Sequence, residues 1–219
     1  MLGTKIAAYL GLRVPQIEVV EVHPELIELT ADLVIQLGMG RTPCRAGKQF
    51  GSRYPGDPAQ TNVFDFLPDE QLSQVENLAD FAGMFVFDKW TCNTNGRQAV
   101  FFLEPGRSRY QAMIIDQGFC FNAGEWNYPD APLRGLYTRN RVYEGVTGME
   151  SFAPWISRAQ NIGERVLEEL VGEVPPEWYD DDHDALVRLL EQLYRRRPRL
   201  QELLLEAKRS NRQPFPNWH

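Results

Sequence analysis

The sequence predicts an α+β protein whose C-terminal half is helical. Three observations carry this. Leu78, Phe81, Ala82, Phe85, Val86 and Trp90 recur at helical spacing, which predicts a buried helix ending near Trp90. Two apolar runs follow, Ala99 to Leu103 and Ala112 to Ile115. They are split by Glu104-Pro105-Gly106-Arg107-Ser108-Arg109, and Pro-Gly in a short polar connection signals a hairpin. From Ser151 onward the apolar residues fall into four helical segments.

Taken in order, Lys5 to Leu12 ends a helix, with Ile6, Ala7, Leu10 and Leu12 apolar and Gly11 suited to a helix terminus. Leu12-Arg13-Val14-Pro15 leads into a strand, Ile17 to Val22. His23-Pro24-Glu25 opens a helix expected to run from Pro24 to Leu37, because proline is tolerated in a first turn. His23 reads as its cap or turn residue. Gly38 to Gly47, rich in Gly, Pro and Arg, is expected to be a mobile loop. Lys48 to Tyr54 reads as a strand closed by Pro55-Gly56-Asp57-Pro58. Asn62 to Leu67 is a short apolar stretch. Pro68-Asp69-Glu70 is expected to begin the central helix, its acids complementing the helix dipole.

Beyond residue 116 the chain is aromatic and irregular, and Phe119, Phe121, Trp126 and Tyr128 are expected to pack rather than to stack on a substrate. Arg134, Arg139 and Arg141 fit either an anionic ligand or a solvated surface. The helices of the C-terminal half are Ser151 to Ala159, Ile162 to Val171, Ala185 to Tyr194 and Arg199 to Lys208. Asp180-Asp181-Asp182-His183-Asp184 stands at the start of the third, which ends in Arg195-Arg196-Arg197. Acids at one end and arginines at the other suit the helix dipole, so capping is expected there rather than a metal. The tail aromatics Phe215 and Trp218 are expected to dock back onto the domain.

A chain of 219 residues suffices for one large domain or two small lobes around a cleft. Hydrophobic content of 43% and charged content of 24% are those of a soluble globular protein. A formal charge of -7 argues against general attraction to nucleic acid or anionic lipid. Cys44, Cys92 and Cys120 have no metal-ligand spacing, and an odd count argues against a disulfide framework, so a reducing cytoplasm is expected. No charged start precedes an apolar run, and no apolar stretch is long enough to span a bilayer.

The central helix delivers a polar run from Asp88 to Gln98, and the second hairpin strand runs into Asp116-Gln117-Gly118-Phe119. An acid leaving a buried strand just before a glycine is well placed to hold a metal. The strand fixes it, and the glycine lets the backbone fold around the ligand. A polar loop after a long helix, then a hairpin, then an aspartate is the order of parts in a kinase active site.

On these residues the chain resembles the HipA-like kinases, a bacterial branch of the protein-kinase-like fold. Their loop pattern, Asn-x-Asp-x-His-x-x-Asn, falls on Asn93 to Val100. Asn93 and Asp116 match. Asn95 stands at the catalytic Asp, Arg97 at the His and Val100 at the metal-binding Asn. Leu10 to Pro15 is similar to the family's Leu-Gly-Leu-x-Val-Pro run, although an ordinary helix-turn-strand connection accounts for it equally. Phe50-Gly51-Ser52-Arg53 is similar to the run leading to the hinge between lobes, where an adenine sits. That makes Phe50, Arg53 and Tyr54 cofactor-binding candidates; an edge strand with a turn explains the same residues.

The resemblance implies a protein-kinase-like fold, with a reduced N-terminal lobe and hinge over residues 1–60 and a largely helical C-terminal lobe over 61–219. It implies ATP and Mg²⁺, with Asn93, Asn95 and Asp116 as the candidate catalytic residues and Asp116 as the metal ligand. It further implies a protein substrate or partner, and an association of the family with toxin–antitoxin pairs. The departures bear on the chemistry. An Asn side chain cannot take up a proton at neutral pH, and a Val cannot ligate magnesium. Asp88 and Asp116 are the carboxylates left to replace the missing one. A kinase also needs a glycine-rich loop and a strand lysine ahead of the first helix. None precedes residue 12, so either the native chain extends upstream, leaving an apolar face of the first helix exposed, or the lobe is reduced. Three readings follow: an ATP-dependent phosphotransferase, a catalytically silent pseudokinase that binds a protein partner, and an unrelated small-molecule-binding domain.

Overall fold

A computed structural model describes residues 1–219, the side chain of Leu37 excepted. The chain forms two compact units, one of Gln16–Tyr54 and one of Met1–Pro15 with Pro55–His219. The division differs from the expected one at residue 60. Helix α1 (Leu2–Tyr9) belongs with the larger unit, because Leu2, Ile6, Ala7 and Leu10 enter its core. The apolar side of α1 is thus buried. Gly11 ends the helix at φ 78, where an added Cβ would strike the Arg158 guanidinium.

In the smaller unit, β1 (Ile17–Val22) pairs antiparallel with β4 (Gly47–Ser52), Ile17 opposite Ser52. Between them lie α2 (Pro24–Leu29) and a hairpin of β2 (Val34–Leu37) and β3 (Gly40–Pro43). The helix expected to reach Leu37 therefore stops at Leu29, and much of the expected loop is strand. The cause is local. Thr30 leaves helical backbone at φ -122, ψ 90, and β-branched Val34 and Ile35 lead into a turn built on Gly38-Met39-Gly40. His23 caps α2, its Nδ1 accepting from the Glu25 amide at 3.4 Å. No described side chain of this unit is fully buried, so backbone ladders rather than a core hold it.

The larger unit is built around α3 (Asp80–Trp90), buried from Phe81 to Trp90. A helix apolar on nearly every side must be central. It starts later than expected. Asp69–Gln74 forms a separate 3-10 turn, after which Val75 is extended. The Glu76 amide donates to Tyr110 O at 2.9 Å, and the Asn77 side chain bonds both the amide and the carbonyl of Ala112 at 2.8 and 2.9 Å. Residues 75–77 are thus engaged by the neighbouring sheet and unavailable to a helix.

That sheet has the antiparallel order β5-β6-β7: β5 (Val63–Phe64), β6 (Gln98–Phe102) and β7 (Gln111–Ile115). Its pleat sorts the side chains. Ala99, Phe101, Ala112 and Ile114 join the main core, whereas Val100, Phe102 and Met113 form a separate cluster with Val63 and Ile115. Helices α4 (Ala153–Gln160) and α7 (Leu200–Lys208) pack on α3, and α5 (Glu164–Gly172) packs on α1. The acidic run caps α6 (His183–Arg196), Asp182 Oδ1 accepting from the Ala185 amide at 2.8 Å. Phe215 is buried against Phe85, Tyr143 and Phe152, with ring centroids 5.7, 5.4 and 5.4 Å away, so the tail docks as expected. The architecture is mixed α/β, with small antiparallel sheets and a helical C-terminal half.

The contact between α3 and α4 is tightest at Gly83, where an added Cβ would lie 2.2 Å from the Trp155 indole. Alanine is favoured over glycine inside a helix by about 1 kcal/mol, but overpacking a rigid ring costs about 1–3 kcal/mol. Gly83→Ala is expected to destabilise the protein by up to about 2 kcal/mol in denaturant titration. A raised midpoint would contradict this packing.

Candidate active-site loop

The loop from Thr91 to Arg97 is organised by a buried carboxylate. Asp88, in the last turn of α3, is fully enclosed. Its Oδ2 accepts from Arg97 Nε at 2.8 Å, and its Oδ1 accepts from Arg97 Nη2 and, at 2.9 Å, from Asn93 Nδ2. Arg97 Nη1 then donates to Ile115 O at 2.8 Å, tying the helix end to the end of β7. Burial alone would lower the Arg97 guanidinium, but the charge and hydrogen bonds of Asp88 outweigh it and hold it above its ordinary value. The loop backbone is latched on both sides. Gly135 N donates to Asn95 O, Arg97 N to Leu136 O and Thr94 N to Phe119 O. Gly135 has φ 80, and a Cβ there would lie 2.3 Å from Asp88 Cβ, so only glycine lets this strand of chain close over the pair.

Of the expected site residues, Asn93, Asn95 and Asp116 all lie on this unit. Asn93 is buried and both ends of its amide are engaged, Nδ2 donating to Asp88 and Oδ1 accepting from the Asn95 amide at 3.1 Å. Asn95 is exposed, and its Oδ1 accepts from the Gly96 amide at 2.9 Å. Asp116 is exposed just past β7 at φ 55, and its Oδ2 accepts from Gln98 Nε2 at 2.6 Å. Gln98 therefore links the loop to Asp116. Val100, opposite Met113 in the ladder, is buried in the smaller apolar cluster and offers no ligand atom. Phe50, Arg53 and Tyr54 lie on the smaller unit and are exposed, with Arg53 Nη1 donating to Gln16 Oε1 at 3.0 Å.

Magnesium takes oxygen ligands in near-octahedral order, commonly from one or two carboxylates. Here the side-chain oxygens of Asn93 and Asn95 are held by backbone amides, Val100 has none, and Asp88 is closed in by Arg97. Val100 replaces the asparagine ligand, so the loop does not fit the aspartate-plus-asparagine metal site that the resemblance implies. Among the described residues no group of three or more His, Cys, Asp or Glu side chains could hold a metal. Thiol chemistry is also disfavoured, because burial pushes the Cys92 thiol up and the Cys120 thiol up to about 12.

Of the surrounding arginines, Arg139 is tied into the fold, and Arg134 and Arg141 stay at the surface. Arg139 pairs with Asp69 and caps Leu67 O, Arg141 lies 3.9 Å from Asp69, and Arg134 reaches Asn122 Oδ1 at 3.5 Å. Phe121 is buried against Tyr128, with ring centroids 6.2 Å apart, while Phe119 stays 42% exposed. The sequence places Asp88 and Arg97 in the candidate loop, but their pairing, and the parts played by Gln98 and Gly135, were not legible. Their partners lie nine, eighteen and forty-seven positions away in sequence, and no local pattern marks them.

One family model, described as HipA-like kinase, matches residues 1–207. No curated protein matches the chain. No solved structure matches it.

Lys89 sits beside the pair and holds the segment that follows the loop. Its Nζ donates to Ala131 O at 2.6 Å and Pro132 O at 2.8 Å, while Arg196 Nη1 bonds Tyr128 O and Asp130 Oδ1. Burial pushes Lys89 down from 10.5 to about 8, against the pull of the Asp88 charge. A neutral amine keeps two N–H groups, enough for both carbonyls. Between pH 8 and 10.5 the folded chain has released this proton while the unfolded chain still holds it, so stability from this group rises with pH. Lys89→Met lacks that titration. The stability of the parent minus that of Lys89→Met is expected to increase across the window, and a flat or falling difference would contradict the buried placement.

Proposed function

Because this chain belongs to the HipA-like kinase family, we propose that it keeps the family's scaffold and has lost phosphoryl transfer, acting as a pseudokinase that binds a protein partner. In this reading the larger unit corresponds to a largely helical C-terminal lobe, and Gln16–Tyr54 to a reduced N-terminal lobe and hinge. One observation carries it: Asp88, the buried carboxylate nearest the loop, is held on both oxygens by Arg97 and cannot replace the base absent at Asn95. General base catalysis needs a proton acceptor within reach of the substrate hydroxyl, and an amide is none. Cys44, Cys92 and Cys120 are all free, which suits a reducing cytoplasm. No helix is long and apolar enough to cross a membrane among the described residues.

An active ATP- and Mg²⁺-dependent phosphotransferase is the second reading. It is favoured by Asp116, which stays exposed with Oδ1 outside the Gln98 hydrogen bond. Phe50, Arg53 and Tyr54 would then be its adenine-side candidates. The two readings separate in one assay. The chain and its Asp116→Ala variant are incubated with Mg²⁺-ATP, and ADP, free phosphate and protein-bound phosphate are measured. The proposal expects none of these above the protein-free blank. Mg²⁺-dependent turnover that Asp116→Ala abolishes would overturn it in favour of the active enzyme.

A further inference from the structure

Helix α6 is apolar on more than its core side. Leu186, Leu189 and Leu193 are buried in the core. Exposed Val187, with half-buried Leu190 and Tyr194 that also touch the core, forms a second stripe at helical spacing. At its Tyr194 end the Arg197 guanidinium lies 3.3 Å from the ring centroid. That stripe is about 10 Å long, at 1.5 Å rise per residue. Val187 is 39% exposed. Across from it, α5 supplies Leu167, and the two helices enclose a groove of about 320 Å³. The rim is acidic. Glu164 and Glu168 from α5 and Glu191 from α6 line it together with Arg195, whose Nη2 lies 3.4 Å from Glu191 Oε2. Glu164 and Glu168 have no ion-pair partner among the described residues, and Arg165 on the same helix pairs with Glu169 instead.

We propose that the α5–α6 groove docks a basic amphipathic helix of a partner protein. An apolar stripe at i, i+3 and i+7 between two helices suits the apolar face of a third, the helix-in-groove mode of recognition. Two uncompensated carboxylates on one rim select lysine or arginine at the edge of that face and repel an acidic segment. The same rim, on a chain of net charge -7, disfavours a second copy of this protein as the occupant. The inference stands apart from the fate of phosphoryl transfer, since no residue of the groove belongs to the Asp88 loop.

The test uses a labelled synthetic peptide of about 16 residues, long enough to form a marginal helix. Leucines lie on one face and lysines and arginines on its flanks; a matched peptide carries glutamates in their place. Fluorescence anisotropy is read on the full chain, on Val187→Asp and on Glu164→Gln/Glu168→Gln, all at exposed positions and each checked for fold by circular dichroism. Saturable binding of the basic peptide is expected, weakened about tenfold in each variant, as for an interface anchor, and absent for the acidic peptide. Val187→Asp makes the protein more negative, so nonspecific charge attraction would leave binding equal or tighter there. That result, equal binding of both peptides, or no saturable binding would overturn the proposal. So would concentration-dependent dimerisation lost in Val187→Asp, which would give the groove to a second copy.

Discussion

The buried ion pair between Asp88 and Arg97 is the interaction on which the site region depends. It joins the end of α3, the start of β6 and, through Arg97 Nη1, the last carbonyl of β7. Removing one member of such a pair leaves an uncompensated charge out of water and costs about 3–5 kcal/mol. Asn93 completes the shell of Asp88 and at the same time sets the turn by accepting the Asn95 amide. Gly135 closes the other side at a distance no side chain would tolerate. The geometry of the loop follows from neutralising one buried carboxylate.

The same arrangement constrains the chemistry. Burial raises the Asp88 carboxyl above its ordinary value, but with both oxygens on Arg97 and no access to solvent it is an anchor out of reach of a substrate hydroxyl. Asn95 cannot accept a proton and Val100 lies in an apolar cluster; on the reading proposed above, the loop keeps the family's frame without its reactive groups. Asp116 is the one acid of the motif that remains at the surface, and Gln98 holds it. The docking groove proposed between α5 and α6 is built from other residues, so the proposed docking does not pass through this loop.

Much of the fold was legible in the sequence because the patterns are strong. The spacing from Leu78 to Trp90 marked the buried helix, Pro105-Gly106 marked the connection between β6 and β7, and Asp182 with the arginines at the far end of α6 marked a capped helix. The errors arose where tertiary pairing overrode local signals. Pro68-Asp69-Glu70 looks like a helix start, yet Val75 to Asn77 is drawn into bonds with Tyr110 and Ala112. Pro24 to Leu37 looks like one helix, yet Val34 and Ile35 pair across a glycine turn. The motif letters picked out Asn93, Asn95 and Asp116, and the structure places all three on the larger unit, with Gln98 bonded to Asp116. The role of Asp88 was not legible, since nothing in its neighbours Phe87 and Lys89 reveals a partner nine residues on.

A double-mutant cycle on Asp88 and Arg97 tests the account most directly, with Asp88→Leu, Arg97→Met and the combination compared in denaturant titrations. Each single change is expected to cost about 3–5 kcal/mol, because it strands the other charge, and the double variant to cost much less than their sum, with a coupling energy of about 2 kcal/mol or more. Additive losses would mean that the two side chains act independently and that the loop is held by something else.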